Sequence, residues 1–234
     1  MTTQATMHPS GTSAGVPGAL PSAARVLAVT ARPGQESVDL GGVLYAFRRA
    51  GASLSLLCLT RGEAAARRPG PAPAQAVRPW EVHLAAAVLG VSEVAVANNA
   101  DGKLHQYPTP ALAEQVSLAI SRFSADLVLV VAPETGDLGE AAVASAATSA
   151  AAQAGVPVLA RTRSGVSSAW DVDLGVDADV ARVIQKSAAA AHTSQSDALP
   201  ALLSRLDMLN RAETLRWLAA PGRVPAQRDL LATA

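Results

Sequence analysis

Residues 25–42, RVLAVTARPGQESVDLGG, constrain the fold more than any other stretch of the chain. The apolar run Val26-Leu27-Ala28-Val29 has the make-up of a strand buried on both faces, and it stops at Thr30. Pro33 then fixes φ and Gly34 permits a positive one, so residues 31–36 form a sharp loop at the strand's carboxyl end. Ser37 follows as an N-cap, and Val38, Leu44 and Phe47 share one side of the helix it opens. Strand, tight loop and helix make the first unit of a doubly wound α/β sheet, in which ligands gather beyond the strand ends. Residues 32–36 are therefore expected to face whatever the protein binds.

The remaining chain repeats that alternation. Strands are expected at 53–59, 94–97, 126–131, 156–160 and, as an edge, 169–174. Helices are expected at 78–89, 110–123, 141–154 and 177–191, with a last one from Asp197 holding Leu199, Leu202, Leu203, Leu206 and Leu209. Trp80, Leu84, Ala87 and Val88 are read as the inward face of the helix at 78–89. Residues 64–79, with four prolines, read as an irregular loop bordering the site, and Asn98-Asn99-Ala100-Asp101-Gly102 as a turn. The fold class is α/β, Rossmann-like: a mostly parallel sheet flanked by helices on both faces. One domain over residues 25–220 is expected, with a flexible leader at 1–24 and a frayed tail at 221–234.

Bulk properties narrow the function. A chain of 234 residues, 50% hydrophobic and 16% charged, can bury a full core. Nineteen basic against nineteen acidic residues leave no electrostatic footprint for nucleic acid or an anionic membrane. No apolar run approaches the roughly 20 residues that span a bilayer. The N-terminal residues lack the pattern of a signal peptide, which makes the cytoplasm the expected compartment. The lone Cys58, inside LSLLCLT, excludes an internal disulfide and a cysteine-built zinc site, and reads as a buried core residue.

The order of local motifs resembles the PIG-L/LmbE family of zinc-dependent N-deacetylases. The family's A-H-P-D-D-E corresponds to Ala31-Arg32-Pro33-Gly34-Gln35-Glu36, with Gly41-Gly42 behind it, and its T-x-G-E to Thr60-Arg61-Gly62-Glu63. Its R-x-x-E helix running into A-x-x-L-G-V is similar to Arg78-Pro79-Trp80-Glu81 and residues 86–91. Its D-G pair matches Asp101-Gly102, and its K-x-x-A-x-x-x-H-x-S-Q is similar to Lys186 through Ala189 to His192-Thr193-Ser194-Gln195, which is one residue shorter before the histidine. The resemblance implies hydrolysis of N-acetylated amino sugars with a metal-bound water. It also implies zinc ligands at the positions of Arg32, Gln35 and Glu140, a base at Gly34 and an oxyanion-stabilising group at Asp137. Of the ligand positions only Glu140 could still coordinate. Arginine has no lone pair for a metal, glutamine offers only a neutral carbonyl, and glycine accepts no proton.

Several readings follow. Arg32 forms an internal salt bridge with Asp137 or Glu140 that fills the former metal pocket, or else presents a planar fork to an anionic small molecule. Asp137 and Glu140 form a capping box for the helix after them, or join Glu36 in an oxygen-rich site for magnesium or calcium. His192 and Glu36 are the candidates for acid or base; Arg32, Gln35, Glu63, Asp101, Asp137 and Glu140 are candidates for ligand binding. The reading assigned to the chain has no metal and no cofactor. It is a family member without the zinc-hydrolase residues that binds a small molecule or a partner, the alanine-rich helix at 141–154 offering a surface for a second copy or a homologue. The alternatives are a metal-independent biosynthetic enzyme working in the remodelled pocket, and an amidase with an atypical metal arrangement.

Overall fold

A computed structural model describes residues 18–64, 73–133, 136–163, 169–174, 178–195 and 212–221, with positions 200, 203, 204 and 206 besides. Five parallel strands carry the fold: β1 (Arg25–Thr30), β2 (Ser53–Thr60), β3 (Glu93–Asn99), β4 (Leu127–Val131) and β5 (Val158–Arg161). Two more, β6 (Trp170–Asp173) and β7 (Ala212–Ala219), complete a seven-stranded sheet in the order β3-β2-β1-β4-β5-β7-β6. β7 runs antiparallel to both of its neighbours. The mostly parallel α/β arrangement matches the expectation, and the switch in strand order falls between β1 and β4, where such sheets take ligands.

Alternate residues of each central strand serve opposite helix layers. Leu27, Val29, Leu57, Val128 and Val130 pack against α4 (Thr109–Phe123) and α5 (Leu138–Ala154), through Leu112, Val116, Ile120 and the small side chains of α5. Val26, Ala28, Leu54, Leu56 and Leu129 pack on the other face. There they meet α2 (Gly41–Arg49), α3 (Ala74–Leu89) and α6 (Ala178–Ala190) through Leu44, Phe47, Val82, Leu89 and Ala188. The alanine-rich α5 thus presses Ala146, Ala147 and Ala150 into the core, its small residues letting it sit close to the sheet.

The helix after β1 departs from expectation. It begins at Gln35 rather than after Ser37, as a short α1 (Gln35–Val38) whose N-cap is Gly34 at φ 99°, and α2 starts separately at Gly41. Ser37 is buried and gives its hydroxyl to Glu36, so it caps nothing. The glycine pair opening α2 is required by close packing: a Cβ on Gly41 would meet Gln185 at 2.9 Å, and one on Gly42 would strike Glu213 and Arg182.

Three further expectations are corrected. Residues 64–79 are not irregular throughout, since α3 begins at Ala74 and carries Pro79 within it. Trp80, Leu84, Ala87 and Val88 face outward, while Arg78, Glu81, Val82, Ala85, Ala86 and Leu89 face the core. β3 continues through Asn98 and Asn99, where a turn was expected. β7 had no counterpart in the sequence reading. Of the leader, residues 18–24 are described, and Leu20 and Ala23 pack on the core; residues 1–17 and the tail beyond 221 lie outside the described residues. So does most of the last expected helix, from which Leu206 packs with Leu203 against Val38 and Ala189.

Candidate functional site

The loops leaving β1 and β4 meet at the strand-order switch. Gln35 holds the first: its Oε1 accepts the amides of Ala31 (2.9 Å) and Arg32 (3.3 Å), and its Nε2 donates to Glu140 Oε1 at 2.7 Å. Its 4% exposure leaves no surface for a ligand. Arg32 donates to Asp137 Oδ2 at 3.0 Å and stands 3.9 Å from Glu140, with 41% of its side chain exposed. Asp137 caps α5 by accepting the Glu140 amide at 2.9 Å. This is half a capping box, because the Glu140 side chain turns into the protein instead of reaching back.

Arg163, which the sequence reading missed, is the main partner of Glu140. Its guanidinium donates to both carboxylate oxygens, at 2.6 and 3.0 Å, and through Nε to Asp39 at 2.9 Å. The forked geometry matches a carboxylate on two parallel bonds. Arg163 follows β5 in a stretch with no motif; the available signal was the two carboxylates, Asp39 and Glu140, that needed a cation beside them. Two guanidinium groups therefore meet three carboxylates here.

Burial pushes the Glu140 carboxyl up, with Arg163 pulling it back down. For Asp137 burial likewise acts upward, but the Glu140 amide and Arg32 outweigh it and hold this carboxyl below its ordinary range. The Arg163 guanidinium is raised although burial opposes its charge, because Asp39 and Glu140 favour it.

A cleft of about 540 Å³ opens beside this network, lined by Arg32, Asp101, Leu104, His105, Asp137 and Leu138 among others. Gly102, Gly136 and Gly139 leave its walls low. Thr60 Oγ1 sits 2.9 Å from the Ala31 carbonyl and 3.1 Å from Asp101, tying the β1, β2 and β3 loops together. Asp101 also accepts the Ala64 amide, and its own amide donates to Glu63, so Glu63 acts within the loops and does not line the cleft.

His192 and Glu36 form a separate, buried pair, with Nε2 and Oε1 2.5 Å apart. Glu36 also accepts from the Gly34 amide and the Ser37 hydroxyl. Neither side chain lines the cleft. Beside them, Glu81 accepts from Thr193 and from the amide and hydroxyl of Ser194, while the fully buried Arg78 donates to Ser194. Burial lowers the His192 pKa, yet the charge and hydrogen bond of Glu36, with Glu81 adding, raise it overall against Arg78. Glu36 is thus engaged by His192, Gly34 and Ser37, while Asp137 and Glu140 are engaged by Arg32 and Arg163. Among the described residues no three His, Cys, Asp or Glu side chains gather in an arrangement suited to a metal ion.

No described helix is long and apolar enough to cross a membrane. No curated protein matches the chain. Among solved structures, it is similar to a deacetylase of the teicoplanin biosynthesis pathway, with 16% identity and a TM-score of 0.64 over 85% of this chain and 100% of that one. The N,N'-diacetylchitobiose deacetylase of Pyrococcus horikoshii gives 14% and 0.65 over 89% of each chain. GalB, the 4-carboxy-2-hydroxymuconate hydratase of Pseudomonas putida, gives 18% and 0.66 over 86% and 98%. At such identities the likeness establishes the fold. The family model described as PIG-L, GlcNAc-PI de-N-acetylase, matches residues 27–151, from β1 into α5, and so takes in Arg32, Gln35, Asp101, Asp137 and Glu140 but neither Arg163 nor His192; the chain belongs to the PIG-L family.

Proposed function

We propose that this protein is a non-hydrolytic member of its family, which binds a small molecule in the cleft beside Arg32 and does not cleave an amide with zinc. One observation carries the reading. Glu140, the carboxylate at a position where the family resemblance implies a zinc ligand, is engaged on both oxygens by Arg163 and on one of them by Gln35. Its lone pairs point at N–H donors, and the dication is replaced by guanidinium charge.

The rest of the donor set agrees. Arg32 has no lone pair for a metal, and the Gln35 carbonyl oxygen is taken up by two backbone amides. Gly34, where the general base would stand, is a left-handed cap without a side chain. The residues present do not fit zinc. What they supply is a polar lining, with Arg32, Asp137, Asp101 and His105, and with Leu104 and Leu138 as apolar contacts. A ligand anion would share Arg32 with Asp137, whereas a hydroxylated neutral molecule would use the carboxylates as acceptors.

The metal-independent enzyme is the second reading. Its support is that a hydratase shares the fold, so chemistry other than deacetylation has been built on it. Among the described residues, Asp101, Asp137 and His105 line the cleft and could supply the acid or base, whereas the His192–Glu36 pair is enclosed elsewhere.

Elemental analysis, paired with calorimetric titration of N-acetylglucosamine, citrate and inorganic phosphate, tests the proposal. Zinc well below one equivalent, no release of acetate, and binding weakened at least tenfold by Arg32→Ala are expected. One equivalent of zinc that supports acetate release would overturn it.

A further inference from the structure

The outward face of α3 has no part in the cleft and exposes large apolar side chains. Trp80 is 66% exposed, Leu84 45% and Val88 38%, at a spacing that sets all three along one side of the helix. The exposed or half-exposed neighbours Ala76, Pro79, His83 and Ala87 add no permanent charge, and His83 keeps a ring nitrogen on the Pro79 carbonyl at 2.7 Å. The two charged residues of α3 nearest Trp80, Arg78 and Glu81, are both turned into the protein and bonded there. α6 packs beside α3 and continues the face with Val180 (48% exposed), Val183 (63%) and the exposed Ser187 and Ala190. Asp179 and Lys186 lie at its margin.

Trp80, Leu84, Val88, Val180 and Val183 together show on the order of 500 Å² of apolar surface, within the upper range for the largest patch on a monomer. Adding the uncharged residues around them brings the face toward the roughly 800 Å² per partner of an ordinary specific interface. Trp is the residue most often found at the energetic centre of such a surface.

We infer that the α3–α6 face is where two copies of this chain associate, Trp80 of each against the apolar strip of the other. A two-fold contact sets one patch against itself, so it suits a patch with no charges to repel their own copies. Among the described residues, nothing along the strip offers the charge pattern that would select a different protein. The interface lies on the helix layer that also carries Glu81 and the His192 pair, and it leaves the cleft open.

Sedimentation of the full chain tests this. A species of twice the 23.7 kDa chain mass is expected. Trp80→Glu should return it to a single chain with unchanged circular dichroism, and Leu118→Glu, at the 65% exposed leucine of α4 on the opposite layer, should stay a dimer. If Trp80→Glu fails to fold, Val183→Glu takes its place with the same expectation. A wild-type chain that stays at single mass at its highest soluble concentration would overturn the proposal, as would a dimer that survives both substitutions.

Discussion

Arg163 shows how one side chain can decide the character of a site. It neutralises Glu140, 1% exposed, and Asp39, both of which would otherwise be buried anions. Arg163→Leu should therefore destabilise the protein by about 3 kcal/mol, since the partners of a broken buried pair keep their desolvation cost. Urea unfolding measures it, and a loss below about 1 kcal/mol would mean that water reaches the pair freely. Cys58 gives a second test. Burial, reinforced by Glu36, pushes its thiol up to about 12. A thiol reagent should label it only at the rate of global unfolding, and labelling of native protein within seconds would contradict the packing. At this scale the sequence was read unevenly. Arg32, Asp137 and Gln35 could be placed because they sit inside motifs with fixed spacing. Arg163 could not, because an arginine after a strand becomes a site residue only once the sheet brings it over a carboxylate far away in the chain.

Among the elements, the junction of α1, α3 and the turn at Thr193–Gln195 depends on charge as much as on apolar packing. The folded state favours the charged His192 imidazolium, through Glu36 and Glu81 and against Arg78. Its contribution is complete below the ordinary pKa of 6.5 and is lost as pH rises through the higher folded value. The thermal midpoint should fall over that interval in the wild type and stay flat there in His192→Gln; parallel profiles would remove His192 from the account. The same junction explains why the inward side of α3 was misjudged. Hydrophobicity favours Trp80 and Leu84 as the buried side, but the core accepted Arg78 and Glu81 because Ser194 and Thr193 bond to them. A pattern of apolar spacing cannot register a polar face that is satisfied from a distant segment. β1, β2 and β4 were legible for the opposite reason: buried on both sides, they read as continuous apolar runs.

Across the whole molecule the parallel half of the sheet follows from local alternation, while its antiparallel end does not. β7 alternates half-buried and buried residues only over 212–215, with Arg216, Trp217 and Leu218 all half-buried, and its neighbours complete it as a strand. Leu215 lies opposite both Arg161 and Trp170. Glu213, 1% exposed, takes Arg161 at 2.9 Å and Arg182 at 2.5 Å, and Trp217 lies 5.9 Å from Trp170 between ring centres. Ending the chain at Arg211 should thus send most of the protein to the insoluble fraction on expression; soluble, cooperatively melting material would show that β7 is dispensable.

That insertion carries a consequence for how the molecule is made. Within the sheet β6 touches only β7, although β7 is synthesised some 40 residues later. A nascent chain emerging from the ribosome must hold β6 without a mate, and the far side of β5 bare, until residues 212–219 have followed.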